Sequence, residues 1–333
     1  MKIPVAPRLP WLIASLILGA TILAGTAIGE TRLPLSTVWD TLANNLFGAR
    51  HEVDRIDAGI IWSYRLPRAI VAASCGAGLA LTGVVLQALL RNPLADPYLM
   101  GLSAGASTGA VLVSVAGFGA GAVSMSLGAL AGALAAFVCV VALAHAVQGG
   151  AGGGRGTQAA AAIILAGIAG SQMFNALTAF VIARSANAEQ ARGIMFWLMG
   201  NLSGVRWEDV PPAVLVTLAG VGLCVWHRRS LDAFTFGADS AAALGIDVRK
   251  VRGLLISATA LMIGVLVSKV GAIGFVGLVV PHAMRFLIGT RHQRLVPVAA
   301  IAGAVFLVTA DVIARIVVPG QVLPIGVVTA LVG

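Results

Sequence analysis

Apolar runs of about 20 residues, one after another, decide what this chain can become. The hydrocarbon core of a bilayer is about 30 Å thick, and a helix rising about 1.5 Å per residue crosses it in roughly 20 residues. Runs of that character cover roughly 10–29, 69–90, 98–117, 122–147, 158–182, 210–226, 251–269, 272–289 and 297–318, with a further one beginning near Pro324. Inside a bilayer each run must satisfy its own backbone hydrogen bonds, so each is expected to be a helix. The expected architecture is all-α: a polytopic membrane protein with about ten transmembrane helices, forming one transmembrane domain over residues 1–333. The last run stops at Gly333, too short to cross, so the chain is expected to continue.

Composition agrees. Hydrophobic residues make up 59% of the 333 and charged residues 11%, where a soluble domain carries about a quarter charged. The 41 glycines suit helices whose backbones approach closely in lipid. The net charge of +9 is spread singly and in short groups between apolar runs. That pattern fits lipid headgroups, not nucleic acid. Cys75, Cys139 and Cys224 lie far apart inside apolar stretches and read as small packing residues, with no metal-ligand spacing. Lys2 and Arg8 precede a first run longer than the roughly 7–15 residues of a signal-peptide core. That run is expected to stay as a helix, with the N-terminus in the cytoplasm.

With the N-terminus inside, segments 30–68 and 184–209 fall outside, in the periplasm, and segment 227–250 falls inside. A little over half of the Lys and Arg residues then lie on the inner side, a narrow excess in the direction of the positive-inside rule. Segment 30–68 mixes acids with Arg32, Arg50, Arg55, Arg65 and Arg68. Segment 184–209 holds an amphipathic piece, Ile194 to Leu202, and 149–157 is a glycine-rich turn.

The most informative connection is Arg91-Asn92-Pro93-Leu94-Ala95-Asp96-Pro97. Its two prolines break the helix and fix a rigid turn, and Asn and Asp at such a place ordinarily cap helices. Together with Gly78-Leu79-Ala80, Gly83, Gln87 and the following GLSAGA, it resembles the permeases of type II ABC importers for cobalamin, haem and ferric siderophores. Other matches follow in order: RLPR at 65–68, FWLMG at 196–200, LDAFTFGADSAAALG at 231–245, GFVGL at 274–278 with Pro281, His282 and Arg285, and Ala310-Asp311 with Ala314-Arg315 and Pro319. The resemblance covers about residues 60–330. The chain departs from it at Arg291-His292, where the family often has Asp-His, and at Gln321, where it often has Glu.

The resemblance implies a homodimer enclosing one pathway, two cytoplasmic ATPase subunits and a periplasmic substrate-binding protein, in a bacterial inner membrane. It implies that Arg65, Arg68 and Arg315 face outward to meet acids on the binding protein; snorkelling to headgroups is the plain alternative, as is an i, i+4 pair between Asp311 and Arg315. It implies that 231–247 seats in the ATPase, with Ala241, Leu244 and Gly245 as the contact core, against the reading of an ordinary surface loop. It suggests that Asn92 and Leu94, with Arg155 and Thr157, form an inner gate; the alternative is two rigid turns. Arg184 and Arg192 are candidates for the substrate pathway, because forked guanidiniums suit haem propionates; otherwise they are loop arginines near headgroups. The extra outer arginines make haem the expected substrate, with cobalamin or a siderophore as alternatives. His282 reads as a structural histidine and not as a haem ligand. No G-x-x-x-x-G-K-[ST] occurs, so ATP and Mg are expected on the partner ATPase, with no cofactor and no catalytic residue in this chain.

Two other classes fit the sequence less well. An ion-driven secondary transporter would carry ionisable groups deep in its spans, and this chain has almost none. An intramembrane enzyme could use Ser107 with His145 or His282, but the glycine-rich setting of Ser107 is that of a packing face.

Overall fold

The structure is a computed structural model describing residues 9–115, 123–150, 157–185 and 187–333. The chain enters through α1 (Leu9–Ala27) and passes two short helices, α2 (Leu35–Phe47) and α3 (Arg55–Gly59). A π-helical turn (Ile60–Arg65) then leads straight into α4 (Leu66–Leu90). A 3-10 turn (Pro97–Met100) precedes α5 (Leu102–Ser114); α6 (Met125–Gly150), α7 (Thr157–Ser185) and the short α8 (Ala188–Leu198) follow. After α9 (Val210–Trp226) come two small helices, α10 (Arg228–Phe234) and α11 (Ala238–Ala243), and then α12 (Val248–Val270), α13 (Val276–Ile288), α14 (His292–Ile316) and α15 (Ile325–Val332). Each expected run falls in one of these helices, and no strand occurs among the described residues.

Among the described residues, six helices are long and apolar enough to cross a membrane, while those at Leu12–Ala27, Leu102–Ser114 and Val276–Ile288 are shorter. Irregular backbone explains two of the short ones. The 3-10 turn and Gly101 (φ 72°) occupy the start of the α5 crossing. Residues 271–275 are unwound ahead of α13, and Phe275 sits at φ 68°. Such backbone is tolerated at membrane depth only where protein covers it or where it lines a water-filled cavity.

α4 is the axis. Every residue from Leu66 to Leu90 except Ile70 is buried, with α1, α9, α12, α13 and α14 packed around it. Lipid offers no hydrophobic force between helices, so close backbone approach must hold them together. Glycine makes that possible: a Cβ on Gly83 would lie 1.8 Å from the carbonyl oxygen of Gly277 in α13. The α5–α6 pair repeats the device with Gly105 and Gly109 against Gly128 and Gly132, a G-x-x-x-G on each helix.

Two boundaries differ from expectation. The amphipathic piece begins earlier, at Ala188, because Asn187 and Gln190 form a reciprocal capping box; it ends at Leu198 because Gly200 turns the chain at φ 80°. The second crossing is helical from Arg55 onward, the π turn carrying it through the proline of RLPR.

Candidate functional site

One end of the bundle holds a buried charge cluster. Asp311 of α14 receives Arg68 of α4 at 2.8 Å and Arg315 at 3.1 Å. Arg68 also donates to Ser203 Oγ at 3.1 Å and to the Tyr64 hydroxyl. Arg315 donates to the Gly25 carbonyl at 2.8 Å, and Arg65 to the carbonyls of Ala27, the last residue of α1, and of Thr31 beyond it. Arg65, Arg68 and Arg315 are 2%, 1% and 2% exposed, and Asp311 is fully buried. The expectation that these arginines face outward is therefore corrected. Each guanidinium is turned into the protein by an internal acceptor, where it ties α1, α4 and α14 together. The i, i+4 pairing of Asp311 and Arg315 is realised; the Arg68 contact was invisible because its partner is 243 residues away.

The middle of the bundle is organised on the unwound stretch. The Tyr98 hydroxyl donates to the Ile273 carbonyl at 2.7 Å and accepts from the Ile273 N–H at 2.6 Å. One side chain thus satisfies both orphaned groups of a peptide that has no helix to pair with. Gln87 in α4 donates to the carbonyls of Ala95 and Gly277, at 3.3 and 3.2 Å, and accepts from Arg285 of α13. The FWLMG stretch closes the other side: Ile325 and Gly326 donate to the carbonyls of Gly200 and Met199, and Asn201 donates to Val270. The motif residues are thus brought together at the ends of α8, α12 and α15.

The opposite end carries α10 and α11. Asp232 of α10 accepts from both the backbone N–H (2.9 Å) and Nδ1 (2.7 Å) of His292, the first residue of α14. Ala241 is buried, so its place in an outward contact core is corrected: its methyl packs inward and holds α11 to the bundle. Leu244 and Phe236 are exposed at 72% and 75%, and Gly245 turns the chain at φ 81°. Asp247 caps α12 and is drawn below the usual carboxylate range, first by the Lys250 backbone N–H and then by its side chain. Neither Asp232 nor Phe236 was singled out from the sequence, although both lie in the LDAFTFG stretch. An aspartate in the last turn of a short helix gave no distinguishing signal.

In the 91–97 turn, Asn92 Oδ1 accepts from the Leu94 N–H at 2.9 Å and Asp96 Oδ1 from the Tyr98 N–H at 2.8 Å. Both side chains thus shape the turn, and Leu94 is exposed. Arg155 lies outside the described residues, and Thr157 is the first residue of α7. Arg184 and Arg192 are exposed on α7 and α8. His282 is exposed and meets Phe286 edge-on, ring centroids 4.9 Å apart.

Residues 16–333 match the FecCD transport family. A cobalamin import system permease, BtuC of Halobacterium salinarum, is 39% identical over 278 residues, 82% of this chain and 71% of that protein. The vitamin B12 import system permease BtuC of Salmonella typhi is 38% identical, covering 82% of this chain and 80% of its own. Among solved structures, an inward-facing metal-chelate type ABC transporter superposes with a TM-score of 0.80 at 28% identity, over 97% of this chain and 95% of that one. The break, the inward-turned motif residues and the paired small helices thus sit in a protein that belongs to the FecCD transport family, a type II ABC importer permease.

Proposed function

We propose that two copies of this chain form the membrane path of an ATP-driven cobalamin importer in a bacterial inner membrane. A substrate-binding protein delivers cargo on the outer side, and two ATPase subunits, carrying ATP and Mg, engage α10 and α11 on the inner side. The observation that carries the substrate is the resemblance to permeases named for cobalamin and vitamin B12 import. Haem was expected from the outer arginines. Arg65, Arg68 and Arg315 are buried against Asp311 and backbone carbonyls, so of the outer arginines only exposed ones such as Arg184 and Arg192 could meet a propionate, and the named relatives favour cobalamin.

The pathway reading is supported by α7. Gln172 and Asn175 are exposed in the middle of this apolar helix. Polar amides facing lipid are costly, so this face belongs against water or a second copy, with Arg184 and Arg192 at its outer end. The gate falls to Asn92 and Leu94, with Arg155 and Thr157. Docking of the binding protein falls to exposed outer residues such as Arg32, Arg50 and Arg55. Drive from the ATPase reaches α14 through the Asp232–His292 contact, and α14 carries Asp311 at its far end.

The test is uptake into proteoliposomes containing the permease, its ATPase and its binding protein. ATP-dependent accumulation of cyanocobalamin, with none of haemin, is expected. Haemin uptake without cobalamin uptake would overturn the substrate. Uptake driven by an ion gradient without the ATPase would overturn the mechanism.

A further inference from the structure

A crevice of about 840 Å³ runs between α6 and α12 at the end of the bundle that carries α10 and α11. Its volume lies in the range of ligand sites, roughly 300–1,000 Å³. Its inner walls are apolar, formed by Phe137 and Val141 of α6 and by Ile256 of α12. At its head stand three basic side chains: Arg249 and Arg252 on the first turns of α12, and His145 near the end of α6. The Nε–H of Arg252 is buried and has no acceptor among the described residues. Asp247, at the start of the same helix, is already paired with Lys250 at 3.0 Å. His145 Nδ1 is held by the Val141 carbonyl at 2.8 Å, which turns one ring nitrogen to its own helix.

A buried guanidinium N–H without an acceptor costs free energy, and the cost falls when an anion supplies the missing oxygen. The arrangement is amphiphilic in a definite order: positive at the membrane boundary, greasy toward the membrane interior. A soluble anion would use the head and leave the apolar walls empty. A neutral lipid would use the walls and leave Arg252 unanswered. We propose that this crevice binds an anionic phospholipid of the inner leaflet, its phosphate on Arg252 and Arg249 and an acyl chain along Phe137, Val141 and Ile256. The leaflet follows from placing α10 and α11 in the cytoplasm, so that part rests on the importer reading; the charge order does not. The site sits beside the segment joining α11 to α12, so its occupant would brace the head of α12 next to the helices that engage the ATPase.

The probe is phosphatidylglycerol against phosphatidylcholine. The permease–ATPase complex is released from nanodiscs holding the two lipids in equal amounts, and retained lipid is read by native mass spectrometry. Retention of phosphatidylglycerol about tenfold over phosphatidylcholine is expected. Near parity is expected in the R249Q/R252Q double variant at an unchanged melting temperature, with partial preference restored in R249K/R252K. Should the double variant not fold, a phosphatidylglycerol with a photoreactive acyl chain, applied to the wild-type complex, must label α6 and α12 around Phe137–Val141 and Ile256. Equal retention of both lipids by the wild type, labelling confined to other helices, or full displacement by glycerol 3-phosphate would each overturn the proposal. None of these readouts needs transport, so failed uptake would count against the importer reading alone.

Discussion

Asp311 takes the guanidinium of Arg68 at 2.8 Å across 243 residues of chain, and takes Arg315 on its other oxygen. One buried carboxylate thus answers two buried cations. Removing one partner of a buried pair leaves the other charge uncompensated, at about 3–5 kcal/mol. Asp311→Ala is expected to lower the melting temperature of the detergent-solubilised permease sharply. Arg68→Lys should fall between it and wild type, because an ammonium keeps the charge without the fork. Wild-type melting of Asp311→Ala would refute the pairing.

Tyr98→Phe removes one oxygen and orphans two backbone groups of Ile273. Unsatisfied buried groups cost about 1–3 kcal/mol each. The variant should fold, melt lower, and show faster amide exchange confined to 271–275. Exchange there that matches wild type would mean the hydroxyl is not what secures the break.

Gly83→Ala places a methyl 1.8 Å from the Gly277 oxygen, a backbone atom with no rotamer to escape through. Overpacking costs of about 1–3 kcal/mol assume that neighbours can yield; here the helices must part. Loss of the monodisperse peak in size-exclusion chromatography is expected. The same change at Gly222, where an added Cβ meets nothing within 4 Å, should leave the peak intact.

Asp96 is held above the usual carboxylate range by burial, opposed by the Tyr98 N–H that it caps. At pH below its unfolded value, near 3.9, both states are protonated and its contribution is flat. As pH rises past that value the unfolded chain ionises first, so stability falls until the folded carboxyl also ionises. Asp96→Asn keeps a capping oxygen and removes this slope. Melting of the two proteins between about pH 4 and pH 6 should therefore show wild type losing stability relative to the variant. Parallel curves would contradict the raised value.

The spans were readable because a bilayer imposes a length on any helix that crosses it, and each of the ten runs lands in a helix. Sequence alone did not say which way a side chain turns at a helix end. Arg65, Arg68 and Arg315 stand at the edge of apolar stretches, where a guanidinium can reach outward to headgroups or inward to a carboxylate. Only the fold, by bringing α1, α4 and α14 together, selects the second. Ala241 failed for a related reason. The faces of a six-residue helix depend on its boundaries, and those are set by Gly237 at φ 111° and by the turn at Gly245. The Tyr98–Ile273 staple was also hidden, since a tyrosine after a proline carries no mark of a partner 175 residues away.

Leu244 and Asp232 separate two steps of one process. Leu244 is exposed at the end of α11, so a charge there does not enter the core; if α11 engages the ATPase as proposed, Leu244→Glu should leave the permease stable while weakening ATPase binding and abolishing uptake. Asp232 spends its carboxylate on His292, although its side chain is 40% exposed. Asp232→Ala should therefore keep the ATPase bound and hydrolysing while uptake falls by about tenfold or more, the loss of a charge-assisted contact worth roughly 1.5–3 kcal/mol. Measuring ATPase co-purification, hydrolysis and uptake on both variants distinguishes them. If Asp232→Ala lost the ATPase, or if it transported normally, α14 would not be the element that carries the stroke.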